Sequence, residues 1–145
     1  MITVMNRIIP FRGFTAVTLW PLVFVRSDAC FDATARRHER IHLEQQLEVL
    51  AVSAVLIAAF VFPGCLSWPW LLAAPAVYYV LYGADWLLRL AVHRDGREAY
   101  RNIVFEQEAY SRQQDGDYIR RRRPLEWLGF VGQKTWSNPS RRGRS

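Results

Sequence analysis

The sequence predicts a mainly α-helical chain with a small N-terminal β-hairpin. A helix carrying His-Glu-x-x-His runs into a hydrophobic helical hairpin and is followed by a helix able to carry a third ligand. Three observations predict this arrangement. Thirty-six consecutive residues, 49–84, carry no charge, between two arginine-rich flanks. His38 and His42 stand four apart in the run "ATARRHERIHLEQQLEVL". "REAYRNIVFEQEAYSRQQ" then returns to helical periodicity beyond the apolar block.

At 145 residues the chain suits one domain, expected over 1–132, with a flexible basic tail at 133–145. The formal net charge is +6 and 18 of the 19 basic residues are arginine. These arginines bracket an apolar block rather than interleave with aromatics along a fold, so no nucleic-acid partner is expected. Membrane lipid is the expected environment. Cys30 and Cys65 have neither Cys-x-x-Cys spacing nor a disulfide framework, and both are read as unpaired. "FTAVTLWPLVFV" is about as long as a signal h-region, but Arg26 and Asp28 follow at once and no small-x-small cleavage site is visible.

That segment is instead read as two short strands, about 14–19 and 22–26, joined at Trp20-Pro21. Proline fits a turn or an edge, not a central strand. Asp28, Asp32 and Thr34 offer caps for a helix from Ala33 to about Phe62, which Pro63-Gly64 ends. A second apolar segment runs from Leu66 through "DWLLRLAV" to Val92, with Asp85 and Arg89 at pairing distance i, i+4. Together these make a hydrophobic hairpin at about 47–92. A third helix is expected at about 97–114. "DGDY" breaks it, and Arg120 to Arg123 and "PLEWLGFVG" follow. The arginine run reads as a topology signal or lipid-headgroup contact, and "PLEWLGF" as a short interfacial anchor.

A membrane-spanning helix needs about 20 mainly apolar residues. The second segment offers nearly that, and the first does so if Gln45, Gln46 and Glu48 sit at the interface. The hairpin tip, "PGCLSWPW", is uncharged and both flanks are arginine-rich. The positive-inside rule then puts both termini and the histidines on the cytoplasmic side of the membrane, expected to be a bacterial inner membrane.

Residues i and i+4 share a helix face, so His38 and His42 can present two imidazoles to one ion. Zinc suits such a pair because it accepts nitrogen ligands and tolerates an open position. Glu39 projects about 100° away around the helix, placed to act as general base on a metal-bound water rather than as a ligand. The third ligand must come from elsewhere, because the position of a metzincin-type third histidine holds Glu48. The later helix supplies Glu106 and Glu108, which diverge by about 200°. Glu106 shares its face with Ala99, Asn102, Ile103 and Tyr110. Glu108 aligns with Arg101 and Arg112, as on a solvated, salt-bridged surface, so Glu106 is the preferred ligand. Gln45, one turn past the histidines, and Asn102 are candidates to support the ligands or face substrate. An oxyanion donor is sought among Tyr110, Tyr100 and His93, with Tyr110 preferred for its nearness to Glu106.

"HERIH", then an apolar hairpin, then "EQEAY" resembles the gluzincin zinc peptidases. The motif order is that of the integral-membrane branch containing CAAX-prenyl and heat-shock proteases, where Glu-x-x-Ala-Asp follows the hairpin. The resemblance implies His38, His42 and Glu106 as zinc ligands and Glu39 as catalytic base. Ala109 matches the motif, and Tyr110 stands where that branch has aspartate. It covers roughly residues 38–110, and the two leading transmembrane helices of that branch are missing. The whole chain is also similar to short bacterial membrane proteins that open on a segment like "IPFRGFTAV", a likeness that carries no activity. The resulting expectation is a small membrane-associated zinc metallopeptidase acting on a peptide or protein substrate, with strands 14–26 offering an edge to an extended chain. One alternative is a non-enzymatic membrane protein with a structural metal or none. Another is a basic membrane-surface or nucleic-acid adaptor.

Overall fold

The computed structural model describes residues 2–6, 15–27 and 31–133. Cys30, the "IPFRGF" segment, Arg7, Arg12, Asp28 and all but the first residue of the expected tail lie outside them. The chain is mainly helical with a small N-terminal sheet. Its strands are β1 (Ile2–Asn6), β2 (Ala16–Leu19) and β3 (Leu22–Arg26), in the order β1-β3-β2. The β2–β3 hairpin turns at Trp20-Pro21, as its sequence predicts, through a cis peptide bond. β1 was not foreseen. It pairs parallel to β3, from Ile2 opposite Leu22 to Asn6 opposite Arg26. Val23 and Val25, two apart on β3, are both fully buried, the period-2 signature of a half-buried strand.

Helix α1 spans Ala33–Val61. Asp32 is its N-cap and accepts from the Ala35 backbone N–H at 2.7 Å, satisfying one of the four orphan donors of the first turn. Gly64, at φ +80°, takes the left-handed turn beyond its end. The hairpin then differs in detail from a single second helix. Residues Trp68–Ala73 form a 3-10 helix, and α2 proper is Ala74–His93. Pro69 and Pro75 fall in the first turn of each, where a missing N–H is harmless. Ser53 crosses the hairpin, its Oγ donating to the Ala74 carbonyl at 3.2 Å and to the Val49 carbonyl at 2.7 Å.

The expected third helix is broken into α3 (Gly96–Arg101) and α4 (Val104–Arg112). Asn102 caps α3, and Ile103, fully buried, leaves the helical region at ψ 135°. Asp85 of α2 makes the break possible, because its Oδ2 accepts from the Val104 backbone N–H at 2.7 Å and starts α4 afresh. Its Oδ1 accepts from Arg89 at 3.1 Å, the expected i, i+4 pair. Helix α5 (Tyr118–Arg121) and a 3-10 turn, Glu126–Phe130, close the described chain. In that last turn Trp127 packs on Phe105 with ring centroids 4.9 Å apart, and Phe130 is buried.

Two helices, Ala33–Val61 and Trp68–His93, are long and apolar enough to cross a membrane by length and composition. Their outward side chains include Val55, Leu56, Phe60, Leu72, Val80, Leu88 and Val92, all exposed. The inward stripe of α1 is polar instead: His38, His42, Gln45 and Ser53 are buried with Val49 at intervals of three or four.

Candidate metal centre

Helix α1 brings His38 and His42 to one face, and α4 delivers Glu106 opposite them. The two Nε2 atoms are 3.1 Å apart. His38 Nε2 lies 3.3 Å from Glu106 Oε2, and His42 Nε2 lies 3.2 Å from Glu106 Oε1. All three side chains are buried, and their ligand atoms fall within 4.8 Å of one another. Glu106 therefore faces the two histidines, as periodicity predicts, although the helix that carries it is shorter than expected.

The orientation of each imidazole is held from behind. Gln113 Oε1 faces His38 Nδ1 at 3.2 Å, and Gln45 Oε1 faces His42 Nδ1 at 2.8 Å. Gln45 Nε2 is committed to two acceptors, the Phe105 carbonyl at 3.0 Å and Glu108 Oε2 at 2.9 Å. Its amide oxygen must therefore point at His42, and Nδ1 must be the donor. An amide oxygen behind each ring leaves the Nε2 lone pairs facing inward, as in histidine ligands fixed by an outer hydrogen bond.

Glu106 completes a set of acceptors that converge on one point. Tyr82 donates its hydroxyl to Oε1 at 2.7 Å, while Oε2, buried and 3.3 Å from His38 Nε2, accepts no hydrogen bond among the described residues. Burial would raise the Glu106 carboxyl, yet the His42 and His38 imidazoles outweigh it and hold the group well below the usual carboxylate range. A buried carboxylate kept ionised needs a positive charge beside it. Protons on the imidazoles can supply it, and so can a metal cation held by all three groups. The residues present fit a metal ion.

Around the cluster lies a cleft of about 1080 Å³, lined by β2, by Glu39 and Gln46 of α1, and by Tyr78, Tyr79, Tyr82, Tyr100 and Tyr110. Glu39 is buried beside the histidines, and Thr18 Oγ1 donates to its Oε2 at 2.6 Å. The Tyr110 ring meets the His38 ring edge-on, centroids 4.8 Å apart. Burial, chiefly, and the charge of Glu106 push the Tyr110 hydroxyl up to about 12, so it stays a proton donor at neutral pH. Tyr100 lines the same cleft, and burial raises its hydroxyl further. His93, at the end of α2, is not among the lining residues. Asn102 was proposed as support for the ligands. Its Nδ2 binds the Glu98 carbonyl at 2.8 Å and its own carbonyl accepts from Gln107, contacts that close the α3–α4 corner.

Two readings of the sequence are corrected. Glu108 is not on a solvated face: it is fully buried and accepts from Arg122, Tyr118 and Gln45. Arg122, one of the four consecutive arginines, is turned inward with its side chain 4 % exposed, bridging Glu108 and Glu48. Periodicity misjudged Glu108 because Arg112, its expected partner, lies over the Tyr118 ring at 5.3 Å instead.

Gln113, Tyr82 and Thr18 were missed. Gln113 had a signal, since it stands two turns beyond Glu106 on the same helical face. Tyr82 and Thr18 reach the site only through tertiary packing. No protein-family model, curated protein or solved structure matches the chain.

Proposed function

We propose that the chain is a small membrane-associated zinc metallopeptidase with His38, His42 and Glu106 as metal ligands. The observation that carries this reading is the convergence of two imidazole nitrogens on one buried carboxylate, His38 Nε2 3.3 Å from Glu106 Oε2 and His42 Nε2 3.2 Å from Oε1. Two nitrogens and one oxygen suit zinc, with a coordination position left for water or substrate. Zinc bound there would lower the pKa of water towards 7 and polarise a carbonyl. Glu39 accepts the proton of the attacking water and passes it to the leaving amine. Thr18 fixes the orientation of that carboxylate through its 2.6 Å hydrogen bond. Tyr110, protonated and against His38, donates to the oxyanion that develops on the peptide carbonyl.

Among the described residues β2 is an edge strand, and its outer side offers a seat for an extended peptide. Thr15 turns its carbonyl towards β3, where Arg26 donates to it, so residues 16, 18 and 20 address the opposite edge. Gln46 already bonds the Thr18 carbonyl and the Trp20 N–H there. Ala16 and the Thr18 N–H remain for a substrate backbone.

A second reading, a purely structural metal, is favoured by the burial of all three ligands, because structural sites are closed. A substitution series on detergent-purified protein separates the two. His38→Ala is expected to strip zinc. Glu39→Gln is expected to keep zinc while lowering peptide cleavage by about 10²–10⁴-fold. Equal zinc content in His38→Ala and wild type would sink the metal site. Undiminished cleavage by Glu39→Gln would sink the base assignment, and a zinc-loaded wild type that cleaves nothing supports the structural reading.

A further inference from the structure

Behind His42 runs a chain of buried polar contacts that ends at the arginine run. Arg122 donates from Nε to Glu108 Oε1 at 2.6 Å and from Nη2 to Glu108 Oε2 at 3.2 Å. The same guanidinium bridges to Glu48 through Nη1 and, at 3.1 Å, through Nη2. Glu108 Oε2 also accepts from Gln45 Nε2, and Gln45 Oε1 faces His42 Nδ1. Gln45 and Glu108 are fully buried, so water cannot substitute for either partner.

Chemistry makes this chain directional. A carboxylate can only accept, so Glu108 forces the Gln45 amide to present its NH₂ on that side and its oxygen to His42. The oxygen in turn requires the proton on Nδ1, which leaves the Nε2 lone pair free for a metal. Burial works against the charge on Arg122, but Glu108 and Glu48 outweigh it and hold the guanidinium firmly protonated. Its fork meets both oxygens of Glu108, beside the bond that Oε2 accepts from Gln45.

We propose that Glu108 and Arg122, neither of which touches the metal cluster, are positioning residues that lock the Gln45 amide and thereby aim His42 Nε2 into the site. The proposal rests on the metal reading above and assigns a role to two residues outside the ligand set. It also gives Arg122 a task distinct from its exposed neighbours Arg120, Arg121 and Arg123.

Cobalt(II) titration of the detergent-purified chain tests it, reading both affinity and the visible ligand-field bands. Glu108→Gln keeps shape but offers an amide that can present either end to Gln45, so Gln45 is free to turn. It is expected to weaken cobalt binding about tenfold or more and to change the bands, as loss of an outer-shell partner does. The double variant Glu108→Met/Arg122→Met, which removes both charges together, is expected to do the same. Arg122→Lys, which preserves the charge, is expected to restore most of the wild-type spectrum. A merely structural role would lower the unfolding temperature and leave the bands of the folded protein unchanged. Wild-type affinity and bands in Glu108→Gln would overturn the proposal, and that variant decides the matter if the double variant does not fold. A wild-type chain that takes up no cobalt would overturn the metal reading and this proposal with it.

Discussion

Tyr82 shows how a single residue can matter to a site it does not ligate. Its hydroxyl gives Glu106 Oε1 a 2.7 Å hydrogen bond, leaving Oε2 turned to His38 Nε2 at 3.3 Å. Hydrogen bonds to charged groups contribute about 1.5–3 kcal/mol. Tyr82→Phe keeps the ring, which is parallel to Phe105 to within 2°, and deletes only the hydroxyl. The variant is expected to bind zinc about tenfold more weakly, as measured by competition with a chromophoric chelator. Unchanged affinity would show that Glu106 is oriented by α4 alone. At this scale the sequence was a good guide wherever function followed from a helical interval. His38, His42 and Gln45 are set by spacing along α1 and Glu106 by spacing along α4, and the four come together. Thr18 and Tyr82 depend on which elements pack together, and no interval along the chain encodes that. Glu108 is the instructive failure: its charged neighbours at helical spacing suggested solvent, while its true partner, Arg122, comes from beyond the next turn.

Helix α4, which carries Glu106, is tied to α2 by Asp85. It pairs with Arg89 on its own helix and accepts the first N–H of α4, so one carboxylate fixes where α4 begins relative to α2. A continuous helix over 97–114 was the simplest reading of the pattern. The break at Asn102–Ile103 was illegible because its cause lies on another helix. β1 was illegible for a related reason, since a parallel partner for β3 brings together segments about twenty residues apart with no local turn to announce it. Removing a helix-starting acceptor costs about 0.5–2 kcal/mol, and asparagine serves in its place nearly as well as aspartate. Asp85→Ala is therefore expected to lower the thermal unfolding midpoint in detergent and to weaken zinc binding, whereas Asp85→Asn should retain most of both. If the alanine variant matched wild type in both measurements, the α4 start would have to be fixed by the packing of Ile103 and Phe105 instead.

On the scale of the whole molecule, the two long helices turn large apolar side chains outward while α1 turns polar ones inward. Phe60, Leu72, Leu88 and Val92 face outward, while Gln45, Gln46 and Ser53 face inward. A chain in water gains by burying such apolar side chains, so an apolar surroundings is the simplest partner for this surface. Length then sets the depth of the His38–His42–Glu106 cluster. Val49–Val61 of α1 spans about 20 Å at 1.5 Å per residue, short of the roughly 30 Å hydrocarbon core. If the hairpin spans, Gln45 and Gln46 must approach the headgroup level, and the cleft opens at the membrane surface. Interfacial insertion would instead leave the hairpin tip on the same side as the arginine-rich flanks. Cys65, exposed at the hairpin tip, and Arg97, at the arginine-rich end, distinguish these arrangements. In a Cys30→Ser background, an impermeant maleimide is expected to label Cys65 from outside intact spheroplasts. It is expected to label an Arg97→Cys, Cys65→Ser chain only in inverted vesicles, with the arginine flanks inside. Labelling of both positions from the same side would rule out a spanning hairpin. That cluster would then lie on a chain resting in one leaflet, with its cleft reached from the face that carries Arg97.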